Sequence, residues 1–298
     1  INIMYDKEKF KGVLPALLTP FDKNDKVNAK SVDKLVKYNL AKGVNGFYVG
    51  GSTGEGLLLT KEERMDLFEY AAAANEGKST LIAHVGTICT SHAIEMAKAA
   101  ERLGYDAISA VAPYYYGFTP QQRKQYYYDI ASSVDLPMII YNFPAANGFN
   151  LDKGTAEEMF AHNDKFIGIK HTTADLFALQ QFKTMKADPI VYNGFDEMFV
   201  GGLSMGADGG IGSTYNFMAE KFIGIYNAFR SGDIAKACAI QTEANEIIAL
   251  LIKYGVFASE KYILDCLGIE MGPCRKPFLP LSEEGRTVLA EVAKQFAK

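Results

Sequence analysis

The feature that most constrains this chain is an alternation. Short apolar runs rich in β-branched residues are followed by longer helix-patterned stretches about eight times between residues 12 and 231. Repeated βα units of this kind build a parallel sheet buried on both faces. The strand candidates lie at 12–18, 46–50, 80–85, 106–112, 137–142, 166–170, 189–193 and 207–212. Eight units predict an α/β fold closed into a (β/α)8 TIM barrel. Helix starts are marked too. Thr60-Lys-Glu-Glu63 reads as a capping box, and Thr119-Pro120-Gln-Gln122 adds proline at the first helical position. In the first helix Val32, Leu35, Val36 and Leu40 recur at helical spacing and form one apolar stripe to lie against the barrel.

The eight units are complete near residue 231, where Ser231-Gly232-Asp233 ends a helix. Three further helical patterns follow at 234–253, 256–267 and 282–296. The expected organisation is therefore a barrel over 8–231 and a C-terminal helical appendage over 232–298 packed on it. A doubly wound nucleotide fold is disfavoured, because Gly50–Gly56 carries neither a Walker A lysine nor a GxGxxG pattern.

Composition narrows the function. With 48% hydrophobic residues the 298-residue chain can bury a large core, and its formal charge of -4 is spread without basic blocks, so nucleic acid is not an expected partner. No apolar run approaches the roughly 20 residues that span a bilayer, and no leader-like N-terminal pattern is present, so no membrane partner and a cytoplasmic location are expected. Cys89, Cys238, Cys266 and Cys274 form no CxxC pair and read as reduced core positions. His84, His92, His162 and His171 form no HxH or HExxH, so no metal is expected.

Barrel active sites lie at the C-terminal ends of the strands. Lys170 closes the run Phe166-Ile-Gly-Ile-Lys170, where a cation must meet a carboxylate or serve a function, unless it snorkels to the rim. Tyr141 ends the preceding strand candidate, about one βα unit earlier. Neighbouring strands run about 4.8 Å apart, so the phenol and the amine would converge if their heights match. By itself Tyr141 is one of 17 tyrosines. The loop Gly50–Gly56 offers backbone N–H groups and the hydroxyls of Ser52 and Thr53 to an anion such as a carboxylate, or is a tight turn. Gly206–Ser213 suits either a phosphate group or the close backbone approach of a sugar.

Together these segments resemble the dihydrodipicolinate synthase and N-acetylneuraminate lyase superfamily, from Gly12 to about Pro280. The matching motifs are GGSTGE at 50–55, PYYY at 113–116, YNFPA at 141–145, GIK at 168–170, NGFDE at 193–197, GADGGIGSTYN at 206–216 and CRKPF at 274–278. The resemblance implies a class I aldolase with no cofactor beyond a covalent Schiff base on Lys170. It implies Tyr141 as proton shuttle, Ser52 and Thr53 as holders of the pyruvate carboxylate and relay to the tyrosine, and Tyr115 as a tyrosine that reaches across a subunit interface.

Two local differences favour the lyase branch. Synthases usually carry Thr-Thr in the loop and an arginine two residues after the YNxP proline, whereas here these positions are Ser52 and Ala146. Without that arginine a second carboxylate lacks its main charge partner. Bacterial lyases often have leucine at the Ala146 position, so this chain departs from them there. Asp196-Glu197 and Gly255-Val-Phe257 also resemble the lyase branch. By that resemblance Gly194, Asp196, Glu197 and Ser213 bind the polyhydroxy part of the sugar, and Thr172 and Phe257 join Ser52 and Thr53 as substrate-binding residues. The implied activity is reversible cleavage of sialic acid to pyruvate and N-acetylmannosamine by a homotetramer built from dimers. Dihydrodipicolinate synthase, 2-keto-3-deoxy sugar acid aldolase and a non-catalytic sugar-acid-binding member are the alternatives.

Overall fold

The computed structural model describes residues 5–297. All eight expected strands form: β1 (Gly12–Pro15), β2 (Gly46–Val49), β3 (Thr80–His84), β4 (Ala107–Val111), β5 (Met138–Asn142), β6 (Phe166–His171), β7 (Ile190–Asn193) and β8 (Gly209–Gly212). They pair in parallel in the order β1-β8-β7-β6-β5-β4-β3-β2. The two ends of the sheet meet through the parallel bridge Ala16↔Tyr48 and a 2.9 Å bond from Leu17 N–H to Tyr48 C=O. The result is a TIM barrel.

Between the strands run α1 (Ala29–Lys42), α2 (Lys61–Asn75), α3 (Thr90–Arg102), α4 (Pro120–Ser132), α5 (Pro144–Asn147), α6 (Lys153–His162), α7 (Leu176–Lys183) and α8 (Phe199–Ser204). After β8 come α9 (Tyr215–Arg230), α10 (Ile234–Tyr254), α11 (Val256–Cys266) and α12 (Glu283–Lys294). Both capping boxes form, since Thr60 and Thr119 accept from the third helical N–H and receive Glu63 and Gln122 in return. In α1, Val32, Leu35 and Val36 are buried as expected, while Leu40 is half-buried. Asn39 takes the deeper place because its amide donates to Leu35 O at 3.2 Å and Asn216 O at 3.0 Å.

The strands separate two apolar layers. Leu14, Ile82, Ile139, Ile190 and Ile211 fill the barrel, while Val13, Phe47, Ala83, Ile140 and Val191 face the helices. Phe10 joins the interior layer, held by a 2.6 Å bond from Tyr192 OH to its carbonyl. The regular strand ends at Pro15 rather than at residue 18: Ala16 N–H still reaches Gly212 O and Leu17 N–H still reaches Tyr48 O, both at 2.9 Å, and Leu18 N–H turns away to Asn216 Oδ1 at 3.1 Å.

The three C-terminal helices share the outer core. Ile247, Ile248, Leu251, Ile263, Leu264 and Leu289 are buried in the same cluster as Phe217 and Phe222 of α9. Each such side chain stabilises by roughly 1.5–3 kcal/mol when fully buried. Division of the chain at 231/232 stands as a proposal, with one continuous core across it. The four cysteines are free, but they are not core residues: Cys238 and Cys266 are exposed and Cys89 and Cys274 half-buried. Cys238 and Cys266 lie on the outward faces of α10 and α11, whose inward stripes are aliphatic. No helix among the described residues is long and apolar enough to cross a membrane.

Candidate active site

The C-terminal ends of the strands open into a cavity of about 300 Å³. Its chemistry begins with an irregularity in β6. Met138 pairs with Phe166, but Ile139 pairs with Gly168, so Ile167 is an extra residue in the ladder. Strict alternation from Ile167, which faces the barrel interior, would turn Lys170 outward. The bulge resets the phase, a common device for re-aiming a side chain. Lys170 therefore comes level with Tyr141, and the pair register as expected from their strand positions.

Lys170 is 5% exposed, and its Nζ lies 3.8 Å from the Tyr141 ring centroid and 4.6 Å from that of Tyr48. No carboxylate among the described residues is within ion-pair distance of it. The contrast with Lys261 is direct. That lysine is also buried, yet its Nζ meets Glu55 at 2.7 Å. A buried lysine with an anion partner is explained by structure, and one without is left to chemistry.

Tyr141 OH lies 3.3 Å from Ser52 Oγ, so the loop after β2 reaches the end of β5. Phe143 stacks on the Tyr141 ring at 5.7 Å between centroids. The loop is folded on itself by Glu55 N–H to Ser52 O at 3.0 Å and Gly56 N–H to Gly51 O at 3.0 Å. Among the described residues no acceptor meets the N–H groups of Ser52 and Thr53, which are available to an anion. The loop is also held from behind. Buried Arg64 donates to Gly86 O at 2.7 Å and also reaches the His84 carbonyl, while His84 Nδ1–H donates to Gly50 O at 3.0 Å. Burial, followed by the Arg64 charge, holds the His84 imidazole well below its ordinary pKa, so it is neutral. Its Nε2 accepts from Val111 N–H at 3.2 Å.

The opposite wall is acidic. Asp196 is buried, and its Oδ2 accepts from Thr214 N–H at 2.9 Å and Thr214 Oγ1 at 2.6 Å. Burial pushes this carboxyl up to about 6, against the lowering effect of the two Thr214 bonds. Its Oδ1 and the Thr172 Oγ1 are buried polar atoms on cavity-lining residues with no hydrogen-bond partner among the described residues. Two glycines make room for them. A Cβ on Gly212 would lie 1.9 Å from Asp196 Oδ1, and one on Gly194 would lie 2.0 Å from Thr172 Oγ1. Within 206–213, Gly212 and Gly210 thus admit side chains, the latter the Tyr215 hydroxyl, while Gly209 admits the Gly12 backbone of β1. A carboxylate at this spot repels phosphate.

Helix α10 fixes the acidic turn. Gln241 Nε2 donates to Asp196 O at 3.0 Å and Asn245 Nδ2 to Glu197 O at 2.9 Å, and the two amides bond each other at 2.9 Å. Spaced four apart, they share one helix face. Ile248, Leu251 and Ile252 of the same helix, with Val256 and Phe257 of α11, form the apolar lip.

Every site residue expected from the sequence lines this cavity except Tyr115. Tyr115 is 87% exposed with φ of 73°, and it packs edge-to-face on exposed Tyr116. Phe143, Phe195, Thr214 and the α10 residues are cavity or support residues that sequence reasoning missed. Ala146 is exposed on α5 and does not line the cavity. Among the described residues there is no group of three His, Cys, Asp or Glu side chains able to hold a metal.

Residues 9–296 match the Dihydrodipicolinate synthetase family. The chain belongs to it. N-acetylneuraminate lyase of Citrobacter koseri is 44% identical over 288 residues, which is 96% of each chain. The catalytic-lysine mutant of Ruminococcus gnavus sialic acid aldolase superposes with a TM-score of 0.95 at 34% identity, covering 98% of this chain and 97% of that one. CdNal of Clostridium difficile, solved with mannosamine, gives 0.93 at 35% identity and covers 96% and 99%. A dihydrodipicolinate synthase shares the fold at 28% identity and a TM-score of 0.90.

Proposed function

We infer that this chain is a class I aldolase that cleaves N-acetylneuraminate to pyruvate and N-acetylmannosamine through a Schiff base on Lys170. One observation carries the choice of substrate. Among the described residues lining the cavity Lys170 is the only cationic side chain, and the wall facing it carries Asp196 and Glu197. A second substrate carboxylate would be desolvated there without a partner and repelled by two acids. Sugar hydroxyls, in contrast, find hydrogen-bonding partners on this wall in the carboxylates of Asp196 and Glu197 and the hydroxyls of Thr172 and Ser213. Direct comparison of pyruvate release from N-acetylneuraminate with condensation of pyruvate and aspartate semialdehyde tests this reading. Faster condensation would overturn it.

The chemistry follows from placement. Unprotonated Lys170 attacks the C2 ketone of the open-chain sugar acid, and water leaves to give an iminium, while Ser52 and Thr53 N–H groups hold the neighbouring carboxylate. Tyr141 removes the C4 hydroxyl proton, passing protons through Ser52. The C3–C4 bond breaks and its electrons enter the iminium. N-acetylmannosamine departs, the enamine carbon takes up a proton, and water releases pyruvate from Lys170. The Schiff base belongs to the chain itself, so the reaction as written calls on no further cofactor.

Tyr141→Phe keeps the aromatic packing against Lys170 and Phe143 and removes only the shuttle. We expect kcat to fall about a hundredfold, the usual scale for a lost acid–base group, while pyruvate still forms a borohydride-reducible adduct. A kcat within a few-fold of wild type excludes Tyr141 as the shuttle.

Asp196 accepts sugar hydroxyls best when ionised, and its carboxyl titrates near pH 6 in the folded chain. Lowering the pH through that value protonates it, so KM for N-acetylneuraminate rises by about tenfold per pH unit below it, as for a single essential ionisation. Asp196→Asn flattens this dependence. A wild-type KM that stays level from pH 7 to 5 contradicts the assignment.

Tyr115 and Tyr116 present adjacent exposed rings beside the barrel mouth, and we assign this surface to a subunit contact through which Tyr115 enters the neighbour's site. The working assembly is a homotetramer of paired dimers located in the cytoplasm.

A further inference from the structure

Behind the cavity wall lies a carboxyl group with no cation partner among the described residues. Glu260 of α11 is fully buried, and Ser213 Oγ donates to its Oε1 at 2.8 Å. Its Oε2 is buried with no hydrogen-bond partner among the described residues. The adjacent Lys261 is committed to Glu55 at 2.7 Å and to Pro273 O at 3.3 Å, so it does not neutralise Glu260. Ser213 itself lines the cavity, whereas Glu260 does not. The charged or titratable groups that bear on this carboxyl are Asp196 from the turn after β7 and Cys274 from the segment after α11, neither of them a cation.

We propose that Glu260 is a positioning residue for the sugar end of the site, taking the Ser213 hydroxyl proton so that Ser213 presents only lone pairs to the cavity. A serine whose proton is committed elsewhere accepts but does not donate. This wall then selects a substrate hydroxyl over a group that only accepts. The inference rests on the sialic acid reading, because it assigns the sugar moiety to this wall.

Burial raises the Glu260 carboxyl well above the ordinary carboxylate range, and the nearby Asp196 charge adds to it. The role asked of the carboxyl is acceptance of one hydroxyl hydrogen at Oε1, which needs no charge. This distinguishes it from an ionic contact, since a glutamine carbonyl offers the same lone pairs at the same place. Leucine fills the volume and offers none, leaving the Ser213 proton free to swing into the cavity.

The experiment compares wild type, E260L and E260Q in steady-state cleavage of N-acetylneuraminate, with pyruvate trapping by borohydride as a parallel readout at the other end of the site. E260L is expected to raise KM about tenfold, the scale of one misdirected hydrogen bond, with kcat changed by less than about threefold. Pyruvate trapping stays at the wild-type level in all three proteins, and E260Q recovers most of the lost KM. An unchanged KM in E260L overturns the proposal. So does E260Q as impaired as E260L, which would require the ionised form. Loss of trapping together with KM and kcat would mark Glu260 as structural only and also overturn it. Wild type that traps pyruvate yet does not cleave N-acetylneuraminate would instead sink the substrate reading, and this inference with it.

Discussion

Lys170→Ala is expected to lower pyruvate release from N-acetylneuraminate by ~10³-fold or more, because without the amine no iminium forms to accept the electrons of the breaking bond. The substitution removes a side chain that has no ion-pair partner among the described residues, so the barrel has little to lose from it. Thermal unfolding of the variant should stay close to wild type. A Lys170→Ala protein with a sizeable fraction of wild-type turnover would exclude covalent catalysis at this residue.

Lys261→Ala should do the reverse. Lys261 and Glu55 meet at 2.7 Å with side chains that are almost wholly buried, and Glu55 adopts a left-handed conformation at φ 55° to do so. Removing the lysine strands a carboxylate, which costs about 3–5 kcal/mol when a buried pair is broken from one side. In a chain of this size that corresponds to a fall in Tm of roughly 10 °C, from about 2–4 °C per kcal/mol. Glu55 closes the loop that carries Ser52 and Thr53, and it also accepts from Arg275 N–H at 2.8 Å. Activity should therefore be lost with stability. The double variant Glu55→Gln, Lys261→Met removes both charges and should recover a large part of the Tm. A single variant as stable as wild type would show that the pair contributes little.

Much of this architecture is written locally. The eight strands, the paired capping signals of α2 and α4, and the three C-terminal helices follow from periodicity and end signals that neighbouring residues carry. Lys170 and Tyr141 were legible because consecutive strands of a parallel barrel place their C-terminal ends side by side. Other parts of the site depend on contacts that local patterns do not encode. The Ile167 bulge is one, since nothing in Phe-Ile-Gly-Ile-Lys marks which residue is extra, although Gly168 is the place where a Cβ would approach Ile190 O at 2.9 Å. Gln241 and Asn245 are another. In sequence they are ordinary polar residues of an amphipathic helix, and only the docking of α10 reveals that they clamp Asp196 and Glu197. Glu260 looks like a surface glutamate until α11 packs it behind Ser213.

If Lys170 is the nucleophile, covalent trapping with pyruvate reads out its role without relying on turnover. The protein is incubated with pyruvate, reduced with borohydride, digested and mapped by mass spectrometry. We expect one reduced pyruvate adduct, on Lys170, which Lys170→Ala abolishes. No adduct, or an adduct carried by another lysine, would contradict it.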